Sequence, residues 1–208
     1  DQLLWEGPLE ALGYGGDREA FRLLAGRLPW ADVRAALLPL PAKERGAAAR
    51  QLLFAAAGGD LFDGPARGAL RPGNRPERRL EGASALAARF ATTGFAAALA
   101  PLVEQAAEGG ARALTAALTV PSLVGPARAQ ETLVNVVLPC LAARGDERLS
   151  RLAEAVYGRL PLPARYGAVR HLHHALDSTP VSARRQQGML YLLRQHCSQG
   201  GCGKCPLS

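Results

Sequence analysis

The sequence predicts an all-α fold, an array of about ten mostly antiparallel helices with a cysteine-rich C-terminal tail. Composition supplies the first reason: hydrophobic residues make up 48% of the 208 and aromatic ones only 5%, so Ala, Leu and Val must build the core. Ala and Leu lose little side-chain freedom in a helix. The second reason is that Ile is absent and Thr scarce, which argues against an extensive sheet. Third, apolar residues recur at helical spacing in segments closed by Pro or Gly. The chain is long enough for a substantial core and reads as one domain over 1–208. It has no fixed repeat period of the kind that marks a solenoid.

Residues 2–12 place Leu3, Leu4, Leu9 and Leu12 on one helical stripe, ended by Gly13. Asp17 is the expected N-cap of the next helix, which turns Phe21, Leu24 and Leu28 inward and ends at Pro29. Trp30 to Leu38 forms a short helix and Ala42 to Ala57 a long one. The stretch 58–76 is the longest loop, and loops of that length are usually functional or disordered. Pro76 suits the first position of a helix, where its missing N–H costs nothing. That helix runs through Leu80, Leu86 and Phe90, and after Gly94 another carries Phe95, Leu99 and Val103. Ala111 to Leu118 follows, then a helix opened by Gly125-Pro126 in which Pro139 should bend or end the regular part. Asp146 caps a helix with Leu149, Leu152 and Val156. Arg165 to Leu176 is the next, and Ser182 begins the last, which carries Met189, Leu190 and Leu193 into the tail at 197–208.

Four blocks carry a resemblance. Leu12-Gly13-Tyr14 with Asp17-Arg18-Glu19-Ala20-Phe21 is the first, and Arg71-Pro72-Gly73-Asn74-Arg75-Pro76-Glu77-Arg78-Arg79-Leu80 the second. Asn135-Val-Val-Leu138-Pro139 and Gln187-Gly188-Met189 are the third and fourth. Together they resemble the C-terminal helical part of the bacterial domain-of-unknown-function family 2851. Longer members carry a strand-rich N-terminal region, so the resemblance implies that this chain corresponds to the part after it. It implies no activity.

The formal net charge is +7, from 25 basic and 18 acidic residues, and nearly all the cations are Arg. Guanidinium grips phosphate or carboxylate with two parallel hydrogen bonds. With Pro76 opening a helix, Arg71, Asn74, Arg75, Arg78 and Arg79 gather at a helix N-terminus, where free amides and a partial positive charge already favour an anion. The expected partner is nucleic acid or another phosphate-bearing ligand, with Arg184 and Arg185 assisting. The bland alternative is that Arg71 and Arg79 pair with Asp60, Asp63, Glu77 or Glu81 and pin the loop.

Cys197, Cys202 and Cys205 crowd the last dozen residues with four and two residues between them, a spacing that brings thiolates to one centre. Cys202-Gly-Lys-Cys205-Pro206-Leu207 is similar to part of the four-iron four-sulfur loop of helix-hairpin-helix DNA glycosylases, where a fourth cysteine follows. This sequence ends at Ser208, so the fourth ligand is expected from Cys140 or His196. Zinc or an iron–sulfur cluster fits such a set. A disulfide or unligated thiols are the alternatives.

His171, His173 and His174 share a helix but lack a third and fourth ligand, so a polar surface with partly buried histidines is the expectation. No Walker-type loop, serine-nucleophile turn or paired catalytic carboxylates can be placed, so the sequence names no reaction. No apolar run approaches the roughly 20 residues that span a bilayer. Four cysteines, three of them at one end, suit metal binding in a cytoplasmic protein. The expected function is a helical binding or accessory module. A protein-interaction scaffold remains open beside it, as does an enzyme whose catalytic part lies in a missing N-terminal region.

Overall fold

The computed structural model describes residues 1–13, 16–62, 75–144, 146–163, 166–175, 182–201 and 203–205, with the side chains of His174 and Ala175 outside that description. The described chain is all-helical. Its helices are α1 (Gln2–Leu12), α2 (Arg18–Arg27), α3 (Trp30–Leu37), α4 (Ala42–Ala57), α5 (Pro76–Phe90), α6 (Phe95–Gly109), α7 (Arg112–Leu118), α8 (Pro126–Thr132), α9 (Leu138–Ala142), α10 (Glu147–Arg159), α11 (Arg170–Ala175) and α12 (Ala183–Gln195). The only strand-like pairing among them is an isolated bridge between Val120 and Val124. No single described helix is long and apolar enough to cross a membrane.

One apolar core runs from α1 to α10 and takes in Ala183 at the start of α12. Its aromatic centre joins Trp5, Trp30, Phe90 and Phe95, with ring centroids 5.6 Å apart for Trp5–Trp30, 4.8 Å for Trp30–Phe95 and 4.4 Å for Phe90–Phe95. The Trp5 indole donates to the Leu28 carbonyl at 2.9 Å, so a large side chain is buried without stranding its N–H. Around that centre α4 packs on α5, with Ala49 and Ala57 buried on one and Ala83 and Ala87 on the other. Small side chains let the two backbones approach closely, the use to which the alanine content is put.

Leu3 departs from the expected stripe. It is exposed, while Leu4, Trp5, Pro8, Leu9 and Leu12 face inward. Trp5, Leu9 and Leu12 stand at helical spacing (i, i+4, i+7), and the larger indole claims the face. The junction between α5 and α6 also departs from an antiparallel pair, since the two helices meet at 83°. An Asp1 carboxylate oxygen accepts from the Ala96 amide at 2.8 Å and covers the start of α6.

The segment from α8 to α9 is one continuous helical path interrupted by a π turn at Leu133–Val137. Side chains take carbonyls that the α ladder would use: the Thr132 hydroxyl donates to Arg128 O at 3.0 Å and the Asn135 amide to Glu131 O at 3.0 Å. The Leu138 amide reaches back five residues to Leu133 O. Pro139, which has no N–H, follows immediately. The helix thus absorbs the proline by widening one turn before it, instead of ending there. Gly7 of α1 lies against this turn, with the Val136 side chain where a Cβ would be.

A second, small apolar cluster unites Val169, Leu172 and Met189, with Tyr166, Leu190, Leu193 and Cys197 packed on it. It holds α11, α12 and a one-turn helix at Gly167–Val169 together. Asp146 caps α10 by accepting from the Leu149 amide at 3.0 Å, and Ser182 caps α12 through the Arg185 amide. Both caps are where the sequence predicts them.

Candidate functional site

At the start of α5, Pro76 occupies the first turn as expected, and the arginines around it diverge. Arg75 is exposed. Arg78 is exposed and donates to the Ser122 carbonyl at 2.9 Å. Arg79 turns inward, 5% exposed, and its Nη1 donates to Asp17 Oδ2 at 3.0 Å, Asp17 being 2% exposed. Asp17 therefore makes no side-chain cap on α2. Asp17 thus stands at the expected N-cap position, but the capping bond expected of its side chain is not made, because a buried guanidinium is a stronger claimant on the carboxylate than a surface amide. Arg79 is committed to the interior instead of to an external anion. Arg71 and Asn74, with residues 63–74 of the expected loop, lie outside the described residues.

Most other arginines are also spent inside the fold. Arg34 donates to Ala91 O at 3.0 Å and Thr92 O at 2.9 Å, where α5 ends. Arg89 donates to Thr119 O at 2.9 Å and to Ala117 O, where α7 ends. Arg128 reaches Ala11 O at 3.1 Å in the last turn of α1, and Arg159 reaches Ala107 O at 2.7 Å in the last turn of α6. Arg27 does the same for Ala56 O in α4. The last carbonyls of a helix lack intrahelical partners and carry its negative end, so a guanidinium from a neighbouring helix satisfies both needs. Others pair with carboxylates, as Arg18 does with Glu10, Arg22 with Glu19 and Arg148 with Glu104. Their bonds hold the Glu19 carboxyl, through Arg22, and the Asp60 carboxyl, through Arg27, below the ordinary carboxylate range.

The C-terminal sector differs. Residues 160–208 hold six basic side chains against one acidic, Asp177, and all four histidines. Arg170, Arg184, Arg185, Arg194 and Lys204 are exposed, and none of their side chains makes a hydrogen bond or ion pair with another described residue. Along the outer face of α12 run Arg184, Gly188, Tyr191 and Gln195, all exposed, at spacings of four, three and four residues. Tyr191 is 63% exposed. Arg185 and Arg194 flank this stripe.

Arg184 also lines a groove of about 300 Å³ between α9, α10 and α12. Its floor is Leu138, Pro139, Ala142 and Ala153, and its rim carries Glu154, Tyr157 and Arg184. The guanidinium lies over α10 at Gly158, 3.9 Å from where a Cβ would stand. Burial pushes the Tyr157 phenol above its ordinary pKa, and the Arg184 charge draws it partly back.

Beside the groove, polar side chains tie α12 to the π turn. Asn135 donates to the Glu131 carboxylate at 3.2 Å and accepts from Gln187 at 2.9 Å, and the Tyr166 hydroxyl donates to the same carboxylate. No sequence motif announces this network. Two of its members, Asn135 and Gln187, fall within the third and fourth resemblance blocks, as Asp17 and Arg79 fall within the first and second. The blocks meet in pairs.

In the tail, Cys197 is half-buried against the small cluster, whereas Cys140 packs on the main core. Burial raises the Cys140 thiol's pKa. The chain curls back after α12: the amides of Gln199 and Gly201 donate to His196 O at 3.1 and 2.9 Å, and Gly200 and Gly203 take φ of 70° and 85°. Cys205 and His196 are half-buried and Cys202 lies outside the described residues. Among the described residues no three His, Cys, Asp or Glu side chains stand close enough to hold a metal ion. His171 is exposed, while Nε2 of His173 is buried and meets no hydrogen-bond partner. Set against protein-family models, curated proteins and solved structures, the chain matches none of them, so the resemblance to family 2851 rests on its four sequence blocks.

Proposed function

We propose that the chain is a cytoplasmic helical binding module for nucleic acid, held through the C-terminal basic face. The observation that carries this is the segregation of the arginines. Most of those in the body of the array are used on backbone carbonyls and carboxylates, Arg75, Arg112 and Arg144 being exposed exceptions, whereas in the C-terminal sector Arg170, Arg184, Arg185 and Arg194 are all exposed and their side chains make no such bond to described residues. Arginine held away from internal carboxylates is available to phosphate, and each phosphate neutralised releases a counterion. Arg75 adds a further exposed cation at the start of α5. The test is an anisotropy titration of labelled DNA at two salt concentrations. Binding at low salt that weakens steeply with salt is expected, and absence of binding at low salt refutes the reading. Replacing Arg184, Arg185 and Arg194 together with Ala should reduce the salt slope by about two to three. A protein-interaction scaffold is the competing reading; the large exposed apolar residues Leu3, Leu23, Leu38 and Tyr191 sit on four separate elements, which favours the polyanion.

The tail is the second part of the proposal. Cys197, Cys202 and Cys205, completed by Cys140 or His196, hold zinc or an iron–sulfur cluster that fastens α12. The curl of the backbone onto His196 O supports His196, since Cys140 packs on the other apolar cluster. Metal analysis with an absorption spectrum on anaerobically purified protein tests it. About one equivalent of zinc, or about two to four of iron with matching sulfide, is expected, and metal-free protein removes the staple.

A further inference from the structure

We infer that the strand bound on the α12 face is single-stranded, with one base stacked on Tyr191 and another seated in the groove beside Arg184. This rests on the nucleic-acid reading above and narrows it. A cationic helix face alone would hold duplex and single strand alike, because phosphate contacts carry no information about pairing. Two features of this face address bases instead. The first is Tyr191, 63% exposed on the same line as Arg184. A ring of that size left in water gains by covering, and every base offers a π-face to cover it. Gly188 between them has open space where a Cβ would be.

The second is the groove of about 300 Å³, a volume at the lower end of small-ligand sites. Leu138, Pro139, Ala142 and Ala153 give it an apolar floor, suited to a ring face. Arg184 at the rim meets the phosphate of that nucleotide. Glu154, also on the rim, would repel phosphate but can accept from an exocyclic amino group, as carboxylates do from cytosine. Tyr191 lies seven residues beyond Arg184, about 10 Å along the helix, far enough for neighbouring bases to use one feature each. Bases stacked and paired in a duplex can reach neither.

The experiment compares a fluorescein-labelled, cytosine-rich oligodeoxynucleotide of about 12 nucleotides with a duplex of equal length at low salt, using the full chain. Single-strand preference of about tenfold or more is expected. Tyr191→Ala should weaken single-strand binding about tenfold and leave duplex binding unchanged, with Tyr191→Phe restoring it. Ala142→Phe, which fills the groove without altering charge, should act in the same direction, and circular dichroism confirms that each variant folds. Equal affinity for both forms, with Tyr191→Ala and Ala142→Phe both neutral, overturns this inference and leaves the parent reading standing. No binding to either form sinks the parent reading. Competition by polyglutamate as effective as unlabelled oligonucleotide also overturns the inference, since it would show an acidic peptide to be an equal occupant.

Discussion

Asp17 and Arg79 stand 62 positions apart in the chain and meet in the interior. Taking two charges from water is expensive, and their attraction repays it only while both are present. Asp17→Ala leaves a buried guanidinium without its carboxylate and should cost about 3–5 kcal/mol, measured by urea unfolding. The double replacement Asp17→Leu with Arg79→Met should recover most of that loss, because an apolar pair of similar volume carries no desolvation penalty. Cys140 behaves differently from an exposed thiol. Burial raises its pKa, so the folded state favours the neutral form. Its contribution to stability is intact below the unfolded thiol's pKa and is lost as pH rises through the higher folded value. Alkylation of Cys140 near neutral pH should therefore be slower in the folded protein than in urea, and mass spectrometry of the modified peptide checks it.

At the scale of elements, the π turn shows how a helix keeps a proline. Thr132 and Asn135 occupy the carbonyls of Arg128 and Glu131, and the ladder lengthens to a five-residue reach just before Pro139. The turn is packed from outside by α1, where Gly7 leaves room for Val136. Gly7→Ala should destabilise by about 1–3 kcal/mol through overpacking, and Val136→Ala in the same chain should relieve part of it, as thermal unfolding would report. Helix ends form the other theme. Arg89→Met removes the donor to Ala117 O and Thr119 O, and the exposed position limits the cost to about 1 kcal/mol. Hydrogen exchange should show the last turn of α7 losing protection before the rest of the helix.

For the whole molecule, the excess of positive charge is unevenly used. Carbonyls and carboxylates absorb most of the arginine in the body of the array, whereas the described arginines of the C-terminal sector stay exposed on α11 and α12, with Lys204 in the tail. Raising ionic strength should therefore disturb binding far more than folding, since folding rests on the apolar core and the buried Asp17–Arg79 pair, whereas contacts through exposed cations are screened within a Debye length of about 8–10 Å. Thermal melts at low and high salt that differ as much as the binding constants do would contradict this division.

Much of the helical plan was legible in the chain. Pro29, Pro76, Gly94, Asp146 and Ser182 mark boundaries because they act on their own backbone or on an amide three residues away, and the apolar stripes of α2, α5 and α10 follow the helical period for the same local reason. Local rules failed where two groups compete for one partner: Asp17 has the chemistry of a cap and went to Arg79, and Leu3 yielded its face to Trp5. By itself, then, the sequence determined an all-helical class, most helix limits and an arginine-rich charge. Only the tertiary structure decided which arginines meet carbonyls, which meet carboxylates and which remain on the surface. A guanidinium's partner is set by whichever helix end or carboxylate packing brings within about 3 Å, and that proximity spans dozens of residues that no local pattern encodes.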